Sequence, residues 1–233
     1  MSNQWYLGFG ASESLYQLNR EYRASIGNAA EKVQNEKLYE LLSRFADDCL
    51  DQYFLAPVER IKLNSVSRKI VTGGVSAIKK TIHVTLKQVI KKLSDDDRKQ
   101  LADYIDSMLI PLRESRRFPT YVAVPIEHPL RERLRSPVDQ GKNGNPTEVV
   151  GVYSDAICEL IEVATTAYMA EPIRMLKLGM VMNKIANVAN DTITGAAQTV
   201  VRKVLRSMND NEILGFFEFS ESILYLPPTA QAA

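Results

Sequence analysis

The side chains able to transfer a proton near neutral pH are two histidines, and they lie far apart in the chain. His83 lies among lysines with no acidic neighbour in the sequence, so we expect it on the solvated surface. His128 follows Glu127, and the arginines that come after it are Arg131, Arg133 and Arg135. A carboxylate beside an imidazole suits proton transfer, and clustered arginines suit an anion. We therefore expect a connector held by salt bridges here, with an anion or acid–base site as the alternative.

Other motifs that carry chemistry are missing from the sequence. Two histidines and two separated cysteines do not form a zinc pattern, and no Glu-x-x-His pair indicates a di-iron bundle. Gly73-Gly74 lacks the Lys-Ser or Lys-Thr of a phosphate-binding loop, so we interpret it as a packing or kink feature. No serine or cysteine has an identifiable base partner. The sequence favours a non-enzymatic protein with no catalytic residue, metal or cofactor.

Basic residues form the clearest candidate binding surface. On two predicted helices they face away from the apolar side, and they are Lys69, Lys80, Lys87, Lys91, Lys184, Arg202 and Arg206. Glu59 is the only acidic residue between 56 and 93, and Lys and Arg are absent after Arg206. A solvated face is the ordinary interpretation of such residues, and an anionic partner is the alternative.

The element that positions these lysines is a long amphipathic helix over residues 65–93. Its apolar residues recur every three or four positions, and they are Val71, Val75, Ile78, Ile82, Leu86, Val89 and Leu93. At about 100° per residue this spacing places all of them on one narrow stripe. The stripe is too apolar to remain in water, so we expect it to be buried.

A second copy of this helical unit follows at a shift of 115 residues, which aligns 53–109 with 168–224. Identical pairs include Tyr53/Tyr168, Pro57/Pro172, Ile78/Ile193 and Asp95/Asp210. The helix start Ser94-x-x-Asp97 corresponds to Asn209-x-x-Glu212. Since each copy needs a cover for its apolar face, we expect two tandem units related by a pseudo-twofold axis.

The predicted fold is an all-α helical bundle that forms one compact body. Residues 1–112 form an N-terminal helical unit with an apolar leader, and 148–226 form a C-terminal helical unit. Prolines between them predict a connector over 113–147, with a short strand at 120–124 and a mobile loop around 136–146. Residues 227–233 are expected to be a disordered tail.

Composition places the chain among cytoplasmic proteins. It has 233 residues, a net charge of +1 and two cysteines, which we expect to be reduced thiols within the core. We find no secretory signal and no apolar run long enough for a spanning helix.

The expected function is binding of another macromolecule, with a protein as the partner and a homodimer as a possible form. A peripheral membrane binder or pore former that exposes its amphipathic helices on an anionic membrane is the first alternative. The second alternative is a nucleic-acid-binding regulator that uses the basic faces. This last function is disfavoured because residues 65–93 contain no aromatic side chain for stacking on bases.

Overall fold

The computed structural model describes residues 4–111, called here the first half, and 120–225, called the second half. The protein is mostly helical, in agreement with the predicted all-α class, and a four-stranded sheet that we did not predict accompanies the helices. The elements of the first half are β1 (Trp5–Gly10), α1 (Glu13–Ser25), α2 (Glu31–Leu50), a π-helical turn (Asp51–Leu55), α3 (Ala56–Ile61), α4 (Ser65–Val89), a 3-10 turn (Ile90–Lys92), α5 (Asp95–Met108) and β2 (Leu109–Pro111).

The second half contains elements of the same kinds in nearly the same order. They are β3 (Thr120–Ile126), α6 (His128–Asn143), α7 (Pro146–Thr165), a π-helical turn (Thr166–Ala170), α8 (Glu171–Met175), α9 (Met180–Ser207), α10 (Asp210–Ile223) and β4 (Leu224–Tyr225). The long helix α9 and the capping box that starts α10 lie where the repeat predicts them.

The sheet joins the two halves, because every strand pair takes one strand from each. Its order is β2-β3-β1-β4, and all three pairs are antiparallel. In the central pair Gly8 lies opposite Ala123. A Cβ atom at Gly8 would lie 3.0 Å from Val122 O, so glycine allows the two strands to approach closely here.

The long helices α4 and α9 pack against each other in antiparallel directions. Ser67 Oγ lies 2.7 Å from Ser207 Oγ, so the start of α4 meets the end of α9. A Cβ atom at Gly74 would overlap the Val200 side chain, which confirms that this glycine is a packing feature. Ile78 and Ile193 are both buried, as the predicted apolar stripe requires.

Helices α2 and α7 flank this central pair, and α1 and α6 cover them from outside. The capping-box carboxylates of α5 and α10 each accept a hydrogen bond from a backbone N–H group of the other half. Asp97 Oδ1 accepts a hydrogen bond from Lys177 N at 2.9 Å, and Glu212 Oε1 accepts one from Asn64 N at 2.7 Å. A carboxylate that caps its own helix therefore also fixes a loop across the molecule.

The predicted connector is right about its strand and wrong about its loop. The expected strand at 120–124 is confirmed within β3, but the helix α6 extends to Asn143 and occupies most of the expected mobile loop around 136–146. Pro129 and Pro146 lie in the first turns of α6 and α7, where the missing N–H is harmless. Pro137 lies inside α6, where it leaves Arg133 O without its usual helical donor.

The apolar leader also differs from the prediction, because Trp5–Gly10 forms a central strand of the sheet. The predicted tail at 227–233 and the first part of the connector, 113–119, lie outside the described residues.

Candidate functional site

An apolar cavity of about 230 Å³ lies between the two halves. Both halves supply its lining, from the apolar faces of α2, α4 and α5 and of α7, α9 and α10. Representative lining residues are Leu42, Phe45, Ile82, Leu86, Ile105, Ile161, Ala164, Ile193, Ala197, Val201, Phe216 and Ile223. The described lining contains no Asp, Glu, Lys, Arg or His. This site can hold an apolar molecule, and it offers no charged group for acid–base chemistry.

The helical stripe that we predicted from the sequence explains why the cavity is apolar. Ile82 and Leu86 belong to that stripe, yet they are only half-buried because they face the cavity. Regular apolar spacing predicts which side of a helix turns inward. It does not predict whether the opposing side chains fill the space, so no sequence feature indicates the cavity.

Most polar groups at the cavity wall are satisfied within the protein. Thr85 Oγ1 donates to Thr81 O at 2.9 Å, and Thr165 Oγ1 donates to Ile161 O at 3.0 Å. Tyr104 OH lies 2.7 Å from Ala167 O. Such groups contribute little polarity to the interior because their hydrogen-bonding capacity is already used.

Two tyrosines form the polar centre of the cavity wall. Tyr53 and Tyr168 lie in the two π-helical turns, and their hydroxyl oxygens are 3.2 Å apart. Burial raises the pKa of both phenols well above the ordinary value near 10. Both hydroxyls are therefore neutral at physiological pH, and they act as donors and acceptors of hydrogen bonds.

Aromatic rings and a thiol surround the tyrosine pair. The Phe9 ring meets the Tyr53 ring edge-on with centroids 5.6 Å apart, and Phe45 meets Tyr168 at 5.3 Å. Burial raises the pKa of the Cys49 thiol to about 12. Since Cys49 stays protonated near neutral pH, it is a poor nucleophile and behaves as part of the apolar wall.

Comparison with protein families, curated proteins and solved structures finds no match to this chain. Among the residues that the structure describes, no group of three or more His, Cys, Asp or Glu is arranged to hold a metal ion. In the same ranges, no helix has both the length and the apolar character needed to cross a membrane.

The predicted basic faces lie outside the cavity. The side chains of Lys69, Lys80, Lys87, Lys91, Lys184 and Arg206 are exposed. Arg202 NH1 lies 2.6 Å from Asp155 Oδ1, so this arginine already has an anionic partner. The anion-binding role of these residues stays a prediction.

The candidates of the predicted connector are distributed over separate contacts. Arg131 stacks on the Trp5 ring, with its guanidinium carbon 3.8 Å from the ring centroid. The remaining pairs are Arg133 with Glu159, Arg135 with Asp139 at 3.3 Å, and His128 Nε2 with Glu132 Oε1 at 3.9 Å. Glu132 also lies 3.1 Å from the Arg131 guanidinium, so His128 and Arg131 share this carboxylate. The anion-site interpretation stays a prediction.

His83 occupies a different environment from the solvated one that we expected. Its Nδ1 atom lies 3.1 Å from Tyr39 OH and 3.3 Å from Ser43 Oγ, and its Nε2 atom lies 3.7 Å from Asp47 Oδ1. Serine, histidine and aspartate here have the composition of a hydrolytic triad. Ser43 lies in the middle of α2, however, where backbone N–H groups are used within the helix and none is free to stabilise an oxyanion. The group is better described as a polar contact between α2 and α4.

Proposed function

We propose that this protein is a non-enzymatic binding protein that holds a small apolar molecule in the cavity between its halves. The observation that supports this proposal is the volume of about 230 Å³ with its almost wholly apolar lining. An apolar cavity of about 150 Å³ already stays dry and binds benzene in another protein. A ligand would therefore be bound here mainly by burial of its apolar surface.

Retention of nonane tests this function. The protein is equilibrated with nonane and dialysed, and the retained alkane is measured by headspace gas chromatography. We expect about one nonane per chain, less in Ala164→Leu, whose larger side chain grows into the cavity, and an unchanged amount in Ala77→Leu, which alters an exposed position of α4. Absence of retention by the parent protein, or equal retention by both variants, would contradict the proposal.

We further propose that the cavity lies between two copies of a duplicated unit that spans nearly the whole described chain. Each copy would run from a strand through a π-helical turn and a long helix to a final strand. The elements support this, because β1 and β3, α4 and α9, and α5 and α10 begin 115 residues apart, the separation that also relates Tyr53 to Tyr168. Gly8 and Ala123 lie opposite each other in the strand register and are also 115 residues apart, which supports a pseudo-twofold axis between them. Superposition of an experimental structure of one half on the other tests this relation.

A second candidate function is contact with an anionic membrane through the outer side of α4 and α9. Exposed apolar side chains favour it, and they are Val66, Val84, Met180, Val181 and Val188. Lys69 and Lys184 lie three residues after Val66 and Val181, so apolar and basic groups share these turns. Co-sedimentation with anionic vesicles at low salt tests this function, and failure to bind would remove it.

The sequence-based proposal of a macromolecular partner is separate from these two. A protein partner and a homodimer both stay predictions. A nucleic-acid partner also stays a prediction and is the least favoured of the three. Light scattering coupled to size-exclusion chromatography tests the homodimer. Filter binding at low salt tests nucleic-acid binding, which would weaken steeply as salt increases.

A further inference from the structure

The Tyr53–Tyr168 pair has one hydrogen-bond donor more than the described contacts use. The two hydroxyls have two protons, and the bond between their oxygens uses one. Among the described residues, neither hydroxyl makes another hydrogen bond. The second proton is therefore available in a cavity where almost all other polar groups are already satisfied.

We propose that this tyrosine pair is the polar anchor of the cavity, and that the ligand is a neutral apolar molecule with one accepting oxygen, such as a ketone, ester or ether. This inference rests on the proposed function and specifies its ligand. The ligand oxygen accepts a hydrogen bond from the tyrosine hydroxyl whose proton is not used within the pair. The hydrocarbon part of the ligand lies against the apolar lining. An unpaired polar group in such an interior is costly, so the ligand that satisfies it gains affinity.

The lack of basic side chains in the described cavity lining disfavours an anionic ligand. No Lys, Arg or His is among its described lining residues, so a bound carboxylate would have no counter-charge. Removing an anion from water without a partner is far less favourable than removing a carbonyl group. The phenols are neutral donors, which suits a neutral acceptor.

The geometry of the pair makes the two tyrosines interchangeable as anchors. Either oxygen can be the donor in the bond that joins them, so the free proton can belong to Tyr53 or to Tyr168. Both residues lie in π-helical turns, which are rare and often occur at functional sites. Removal of one hydroxyl would leave the other with its proton unshared and still able to bind the ligand.

Three probes of matched length test the anchor in the full-length protein. Nonane has no polar atom, dibutyl ketone places one accepting oxygen in a chain of the same length, and nonanoate carries a negative charge. Affinities are measured for the parent protein, for Tyr53→Phe and Tyr168→Phe, and for the double variant. Phenylalanine retains the ring and removes only the hydroxyl.

We expect the parent protein and both single variants to bind dibutyl ketone about tenfold more tightly than nonane, and nonanoate most weakly. The double variant should lose this preference while its affinity for nonane stays the same. The carbonyl stretch of bound ketone should lie at a lower frequency in the parent than in the double variant, because only the parent donates a hydrogen bond to it.

The results separate the two proposals. Failure of all probes to bind would contradict the proposed function itself. Binding of nonane without a preference for the ketone, or a preference that persists in the double variant, would overturn the anchor alone. Tighter binding of nonanoate than of the ketone would overturn the assignment of a neutral ligand.

Discussion

Arg98 of α5 and Ile213 of α10 are buried side chains of opposite chemistry, and each is the fourth residue of a helix that begins with a capping box. Arg98 is 2% exposed, and its guanidinium contacts Glu31 at 3.0 Å and Asp95 at 2.8 Å. Ile213 is 1% exposed and needs no polar partner. The comparison teaches that the same position of a capped helix can be buried either as an arginine paired with carboxylates or as an apolar side chain.

The largest loss of stability should follow from placing an arginine at the buried position of Ile213. Ile213→Arg places a guanidinium at a buried position, and Asp210, three residues earlier in α10, already accepts a hydrogen bond from Thr147 Oγ1. We expect the free energy of unfolding to fall by about 4 kcal/mol, measured by urea denaturation. Ile213→Met is the control and should change it little. A stable Ile213→Arg variant would show that α10 already offers a polar environment.

Truncation of the apolar stripe tests whether the halves contribute equally at the cavity. Ile78→Ala and Ile193→Ala should each lower the free energy of unfolding by about 3 kcal/mol, because both side chains are buried and line the cavity. The same urea experiment measures both. If one substitution costs far less than the other, the equivalence of the two sites would be contradicted.

The reverse exchange, Arg98→Met, should have a moderate effect. Methionine fills much of the arginine volume, and the exposed carboxylates of Glu31 and Asp95 can return to water. We expect a loss of about 2 kcal/mol in urea denaturation. Glu31→Gln is the matched control and should change the stability less, since the glutamate side chain is 68% exposed. If Glu31→Gln lost more stability than Arg98→Met, the ion pair between Glu31 and Arg98 would be the main source of the stabilisation.

The capping carboxylate of α5 predicts a smaller, pH-dependent effect. Burial acts to raise the pKa of Asp97, but hydrogen bonds from Lys177 N and from Ser94 outweigh it and hold the pKa below its ordinary value. The stabilisation is therefore complete above the unfolded pKa near 3.9 and is lost as the pH falls through the lower folded pKa. Asp97→Asn should be less stable than the parent at pH 7, and the difference should shrink at pH 3. A difference independent of pH would contradict this origin.

The smallest changes in stability are expected for substitutions on the basic faces. Lys87→Ala and Arg202→Ala should leave the denaturation midpoint unchanged, because both side chains lie on the outer side of the long helices. Arg202 contacts Asp155 while Lys87 lies 5.5 Å from the Tyr39 ring centroid, so the two halves differ in this contact too. A measurable loss at only one position would show that its contact contributes to stability.

The sequence predicts the regular helices of this protein well, because their signals are local. The helix expected over 65–93 is present as α4 and the 3-10 turn, and both capping boxes have the predicted partners. The prolines of α6 argue against a helix, yet Pro129 lies in the first turn, where proline is tolerated, and the helix continues through Pro137. The strand β1 has no local signal because its pairing partner lies in the other half of the chain.

The candidate site was beyond sequence reasoning for a different reason. Tyr53/Tyr168 was noted as an identical pair, but spacing alone could not show that the two hydroxyls meet. His83 also lacked a sequence neighbour that would reveal Asp47, which comes from another helix. Sites built from distant segments depend on tertiary packing, which periodicity does not specify.

The sheet has a consequence for how the molecule can come apart. Since every strand pair joins one half to the other, neither half can keep its sheet hydrogen bonds when its counterpart unfolds. We therefore expect the two halves to unfold together in one cooperative transition. A ligand that binds in the cavity stabilises the whole chain, so occupancy and global folding are thermodynamically linked.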